Sequence, residues 1–226
     1  MAIMRQRTLK VERLGRVEYS SALEIQKRTE RAVLTGEQTD TLLLLEHPPT
    51  LTLGRRANDG GIIAGDEVLR ARAVTVFETN RGGKVTYHGL GQIVGYPIIN
   101  LSPDREDVHR FVRDLEEVLI RTTRDFGIEA FRIKGLTGVH TPRGKVAAIG
   151  VHIARWVTTH GFALNVNTDL SYFDLIIACE GEPVTSMKEL LGREVEMNAV
   201  EDRIIERFAE VFGMITEQAT VGTTYC

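Results

Sequence analysis

The sequence predicts an α/β domain, because strand-like and helix-like runs both recur along it. Residues 73–79 (AVTVFET) and 92–101 (QIVGYPIINL) read as strands. Val108, Phe111, Val112, Leu115, Val118 and Leu119 recur at steps of three and four, which makes this the strongest helical pattern in the chain. The composition, 42% hydrophobic and 26% charged over 226 residues, is that of an ordinary globular chain able to bury one substantial core. Neither an internal repeat nor a low-complexity linker divides it, so one domain is expected over 1–226.

Taken in order, residues 8–14 alternate enough for a strand. Ser21 and Glu24 form a capping-box pair that predicts a helix running to about Leu34. TLLLLEH at 41–47 reads as a buried strand stopped by Pro48 and Pro49, before LTLG starts another extended segment. The prolines fix the backbone after His47 and can aim its imidazole, although a plain strand-end histidine fits as well. A loop from Gly54, Arg55 and Arg56 continues through Gly60 and Gly61. The main helix starts after Glu106 and Asp107 and ends by Gly127, with His109 off its apolar stripe and therefore on the surface.

FRIK at 131–134 and KVAAIGV at 145–151 read as strands of a hairpin, and FALNV at 162–166 as a strand with Phe162, Leu164 and Val166 on one face. Residues 170–187, which hold Cys179, read as mostly irregular. A last helix, about 198–212, carries Val200, Ile204, Ile205, Phe208, Val211 and Phe212 on one side with Gly213 after it, and a fraying Thr-rich tail follows.

The densest chemistry lies between the two central strands, at residues 81–92, RGGKVTYHGLGQ. A glycine costs roughly 0.5–1 kcal/mol against Ala in regular structure, so four together (Gly82, Gly83, Gly89, Gly91) suggest sharp turns or close approach to a ligand. Arg81, Tyr87 and His88 would supply polar contacts. A polar-tipped hairpin is the plainer alternative. The stretch is neither a Walker A loop nor GxGxxG, so no nucleotide site is indicated.

RGGKVTYHGLGQIVGYPIINL resembles the signature of the octanoyltransferases of lipoate biosynthesis. The likeness extends to EHPPTLTLGRRA (46–57), GKVAAIGV (144–151), HGFALNVNTDL (160–170) and the cysteine in IIACEGEPVTSM. It implies an α/β (α+β) catalytic domain of the biotin and lipoate protein ligase type, with mixed sheets flanked by helices. By the same resemblance Cys179 is the nucleophile and Lys145 its acid/base partner. Substrate is contacted by Arg81, Gly82, Gly83, Lys84, Val85, Thr86, Tyr87 and His88, by Ala148, Ile149 and Gly150, and by Gly161, Phe162 and Ala163. Octanoyl-acyl carrier protein is the implied donor. The implied acceptors are lipoyl domains of 2-oxoacid dehydrogenase E2 subunits and the glycine cleavage H protein.

Residue by residue the reading stays more open. A lone internal cysteine is commonly a small buried hydrophobe, and Lys145, at a strand start, would by itself be a solvated edge charge. As a pair they are chemically coherent. A thiol is more acidic than an ammonium by about two pKa units, so proton transfer to a neutral amine runs downhill by roughly 2.6 kcal/mol and leaves an ion pair. Gly150, Gly161 and Ala163 fit an apolar groove for a medium acyl chain, with tight strand packing as the plainer alternative. His88 and His160 fit orienting roles or structural ones.

The remaining features narrow the class. A formal charge of −3 gives no general attraction to nucleic acid or anionic membrane, so an acidic carrier needs a local basic patch, with Arg55, Arg56 and Lys84 as candidates. Two cysteines, Cys179 and Cys226, build no disulfide framework, and without CxxC or HExxH no metal site is expected. No signal-peptide or membrane-length apolar run is evident, so a cytoplasmic location is expected; a monomer without a cofactor is also expected. The rival readings are an ATP-dependent lipoate ligase, a cysteine hydrolase, and a noncatalytic acyl- or lipoyl-domain-binding module.

Overall fold

In the computed structural model, residues 7–57, 61–177 and 182–217 are described. Their order is β1 (Arg7–Arg16), α1 (Tyr19–Thr35), β2 (Asp40–Glu46), β3 (Thr50–Leu53), α2 (Asp66–Ala71), β4 (Thr75–Glu78), β5 (Val85–His88), β6 (Gln92–Ile98) and α3 (Val108–Asp125). Then come β7 (Val139–Thr141), β8 (Gly144–Ala154), β9 (Val157–Asn165), a 3-10 turn (Leu170–Leu175), α4 (Met187–Leu191), α5 (Met197–Phe212) and β10 (Met214–Thr216). A seven-stranded mixed sheet runs β10-β1-β2-β6-β9-β8-β7, and a second sheet runs β4-β3-β5.

The leucine run of β2 shows how the layers form. Leu42 and Leu44 join the core beneath α3 and α5, whereas Leu43 and Leu45 join the core beneath α1. A central strand covered on both faces has no solvent side, so it reads as a continuous apolar run. On the first face Phe208 stacks on Phe212 at 4.2 Å and Phe111 meets Phe212 edge-on at 5.8 Å, locking α3 to α5. On the other, Ala22 and Val33 of α1 cover Leu43, Leu45 and Val94. A third, smaller core holds Leu51, Val85 and Tyr87 of the second sheet against Leu69, Phe173, Leu175 and Ile176.

Most elements fall where the sequence puts them, and the exceptions have physical causes. The first helix starts at Tyr19, not Ser21, and its cap residue Glu18 makes no side-chain cap bond. Tyr19 is 1% exposed and packs on His47 and Phe77, so tertiary burial extends the helix past the capping-box pair. Asp107 does cap α3, accepting from Arg110 N at 3.0 Å, and Gly127 follows with φ +77°.

FRIK is not a strand. Only Phe131 bridges, to His140, and Phe131, Ile133 and Lys134 are exposed; β8 takes VHT (139–141) as its hairpin partner instead. Within the glycine-rich motif VTYH forms β5, antiparallel to β3, a strand not expected from the sequence. MIT at 214–216 adds a parallel edge strand beside β1. Among the described residues no helix is long and apolar enough to cross a membrane.

Candidate active site

The motif folds as a clasp between the two sheets. Backbone bonds from Gly54, Arg55 and Arg56 to the carbonyls of Lys84, Arg81 and Gly83 tie it to the small sheet, and Gly82 N donates to Val151 O of β8 at 3.0 Å. Arg81 is 7% exposed and donates to the Thr52 carbonyl at 2.6 Å and to its hydroxyl from Nε at 3.1 Å. Its guanidinium thus organises the loop as well as facing the space beyond it.

That space is a cavity of about 190 Å³ between the motif and the β8–β9 hairpin. Of the residues singled out in the sequence, Arg81, Gly83, Lys84, Val85, Thr86, His88, Lys145, Ala148, Ile149, Gly150, Gly161, Phe162 and Ala163 line it. Two do not. Tyr87 points into the small core, stacked on Tyr172 at 4.8 Å and edge-on to Phe173, on the face of β5 opposite Thr86 and His88. Gly82 lies behind the wall, and its carbonyl would stand 2.8 Å from any Cβ added at Gly150. Cys179 lies outside the described residues.

Lys145 is not the solvated edge charge its position suggests; it is 8% exposed. A β-bulge explains this. Val139 pairs with Ala147 and His140 with Lys145, so one step on β7 answers two on β8. The consecutive Val146 and Ala147 both enter the main core, while Lys145, Ala148 and Gly150 line the cavity. The extra residue re-aims the amine, a recurrent use of bulges beside functional sites. Gly138 makes room for it: with φ +125°, a Cβ there would stand 2.5 Å from Lys145 Cε and 2.6 Å from Ala147 O. Gly138 N in turn donates to the buried carboxylate of Glu116 on α3 at 3.1 Å.

On its other edge Lys145 meets the segment that follows Cys179. Lys145 N donates to Pro183 O at 2.8 Å and Thr185 N donates to Lys145 O at 3.0 Å, a short parallel bridge through Val184. On the near side of the same segment Ile62 bridges Ile176, and Ile177 N donates to Gly61 O at 2.9 Å. Glu182 lines the cavity and lies 3.4 Å from Nε2 of buried His140.

The inner wall contains residues with no signal in the sequence spacing: Tyr19 at the start of α1 and Tyr96 on β6, with Leu136 and Thr137 at one side. Only His160 and Arg56 among the additional lining groups had drawn notice in the sequence. His160 has φ 55°, its N–H is taken by Gln26 Oε1 at 2.8 Å, and its Nε2 donates to Asn80 Oδ1 at 2.7 Å. His47 stands behind the wall, donating from Nδ1 to Val17 O at 2.7 Å and so accepting from the Tyr96 hydroxyl at Nε2.

Burial lowers the pKa of His47 and of His160 to about 4, with the Arg81 charge adding to the effect at His160. Burial, then the charge of His47, also pushes His88 well down. Burial raises Tyr19 to about 12. These rings are therefore neutral near pH 7. At Gly161 an added Cβ would collide with Gly95 O and stand 2.5 Å from Pro97 Cδ on the neighbouring strand β6. Gly161 is thus tight strand packing and cavity floor at once.

Residues 18–209 match the family model for the lipoyl protein ligase A/B catalytic domain. The chain belongs to this family. An octanoyltransferase of Solibacter usitatus is 51% identical over 89% of this chain and 92% of its own length. The fold is that of lipoate-protein ligase A bound with ATP, at TM-score 0.73 and 14% identity over 96% of this chain and 90% of that one. It is shared more distantly with a biotin protein ligase from Aquifex aeolicus in complex with biotin and ATP, at TM-score 0.57 and 14% identity over 90% and 70% of the two chains. The octanoyltransferase resemblance and the biotin/lipoate ligase fold expected from the sequence therefore hold for this family member.

Proposed function

We propose that this octanoyltransferase relative carries an octanoyl group from octanoyl-acyl carrier protein to a specific lysine of a lipoyl domain, through a thioester on Cys179 with Lys145 as acid and base. One observation carries the reading. A buried amine sits in the wall of a cavity bounded by the glycine-rich motif, bonded through its backbone to the segment that leaves Cys179. Cys179 is three residues from cavity-lining Glu182, a reach of at most about 11 Å.

The chemistry balances without a nucleotide. Neutral Lys145 takes the thiol proton, and the thiolate attacks the donor carbonyl. The tetrahedral intermediate collapses with loss of the carrier thiolate, which is reprotonated from the Lys145 ammonium. In the second half Lys145 removes one proton from the acceptor ammonium, the amine attacks the Cys179 thioester, and the tetrahedral intermediate collapses to the amide as its remaining ammonium proton passes to the departing Cys179 sulfur, which leaves as the thiol. Thioester exchange is nearly isoenergetic and amide formation runs downhill. The octanoyl chain lies along Ala148, Gly150, Gly161 and Ala163.

The 226 residues act as one domain, a cytoplasmic monomer, with E2 lipoyl domains and the glycine cleavage H protein as acceptors. Arg55, Arg56 and Lys84 are exposed on the two bonded loops at the cavity mouth and receive the acidic carrier. Reversing their charge raises KM for the carrier and spares transfer from a small octanoyl thioester. An unchanged KM removes the patch from the account. The central test is intact-mass measurement after incubation with octanoyl carrier alone. A stable adduct of one octanoyl group, absent in Cys179→Ser, supports transfer. Release of free acid marks a hydrolase, and no adduct marks a binding module.

A further inference from the structure

A line of buried polar groups joins the motif to the strand that bears Lys145. His88, Gln92, Asn165 and Thr185 are 7%, 1%, 4% and 1% exposed. His88 Nδ1 lies 2.8 Å from Gln92 Oε1, Gln92 Nε2 donates to Asn165 Oδ1 at 2.9 Å, and Asn165 Nδ2 donates to the Thr185 carbonyl at 3.0 Å. Thr185 N then donates to Lys145 O. Gln92 and Asn165 are direct cross-strand partners on β6 and β9, so the sheet register brings the two amides face to face.

The direction of every bond follows from its ends. Carbonyl oxygens only accept, so Asn165 must turn its NH2 to Thr185 and Gln92 must turn its NH2 to the carbonyl of Tyr87, 3.1 Å away. Asn165 Oδ1 then takes the second Gln92 hydrogen, and Gln92 Oε1 is left to accept. His88 must therefore carry its proton on Nδ1, which leaves Nε2 with a bare lone pair in a ring that lines the cavity. Neither amide has a water-facing alternative, and an unmet buried polar group is costly.

We propose that Gln92 and Asn165 are positioning residues that hold His88 in one tautomer at the cavity wall and, from the other end, hold the 183–185 segment in register with Lys145. The proposal rests on the assignment of Lys145 as acid and base made above. The chain of bonds couples the wall that receives the acyl group to the backbone of the amine that moves its protons, two elements otherwise carried by different strands.

The test compares wild type with Asn165→Asp and Gln92→Leu, using octanoyl carrier and a lipoyl domain, well below each variant's unfolding temperature. For Asn165→Asp kcat should fall at least tenfold near neutral pH, because a carboxylate has no hydrogen for the Thr185 carbonyl. KM for the carrier should stay within twofold. As pH falls, the protonated acid regains a donor, so the ratio of variant to wild-type kcat should rise. In Gln92→Leu the imidazole nitrogen-15 signals of His88 should lose the Nδ1–H pattern of wild type.

Wild-type kcat in both variants, or an unchanged His88 tautomer together with a flat ratio across pH, overturns the relay. If Gln92→Leu fails to fold, the pH ratio of Asn165→Asp decides alone. A wild-type chain that forms no octanoyl adduct sinks the functional reading instead, and that result is visible before any variant is made.

Discussion

The two faces of β8 have opposite tasks. Val146 and Ala147 are buried in the core under α3 and α5, and Val151 packs against it. Lys145, Ala148 and Gly150 face a cavity also lined by His88, His160, Tyr19, Tyr96, Arg81 and Glu182. The same strand therefore stabilises the fold on one side and leaves polar groups and open volume on the other. A protein carries the second kind of surface at some expense in stability, since buried polar groups and space both forgo dispersion and burial energy.

The largest test of that contrast exchanges the two kinds of change. Lys145→Met removes the amine but keeps its length, and transfer to the lipoyl domain should fall by about 10²- to 10⁴-fold. Its unfolding temperature should be unchanged or higher, because a buried polar amine is replaced by an apolar chain. Leu115→Ala on α3, a residue fully buried in the dry core, should do the reverse. It should cost roughly 2–5 kcal/mol in denaturant unfolding while kcat per folded molecule stays near wild type. Full activity in the first variant, or lost kcat in folded samples of the second, breaks the division between the faces.

A smaller effect separates the faces by pH. His47 and His160 have folded pKa values of about 4 against an ordinary 6.5. Between those values the unfolded chain binds protons that the folded chain refuses, so stability falls as pH drops from 6.5 toward 4. The loss is on the order of 3 kcal/mol for each histidine. Above 6.5 their contribution is complete. Urea titrations at pH 7 and pH 4.5 should show this, and His160→Asn should flatten the dependence; an identical slope in the variant removes His160 from the cause.

Local pattern recovered more of this molecule than of its site. The heptad-like spacing of α3, the leucine run of β2 and the one-sided C-terminal helix each report burial through periodicity, which a linear sequence preserves. The glycine-rich motif announced itself by composition. FRIK failed because only Phe131 of it pairs, with His140 of β7, and the capping-box pair failed because Tyr19 gains more from burial than Ser21 does from a cap.

The sequence by itself determined the α/β class, the main helices and strands and, by resemblance, the family, all of which depend on spacing and residue type along the chain. Only the tertiary structure decided that Lys145 is buried, that Tyr87 faces away from the cavity, that Tyr19 and Tyr96 line it, and that Gln92 meets Asn165. Those facts depend on a bulge, a strand's facing and a cross-strand register, which are set by pairing between residues far apart in sequence.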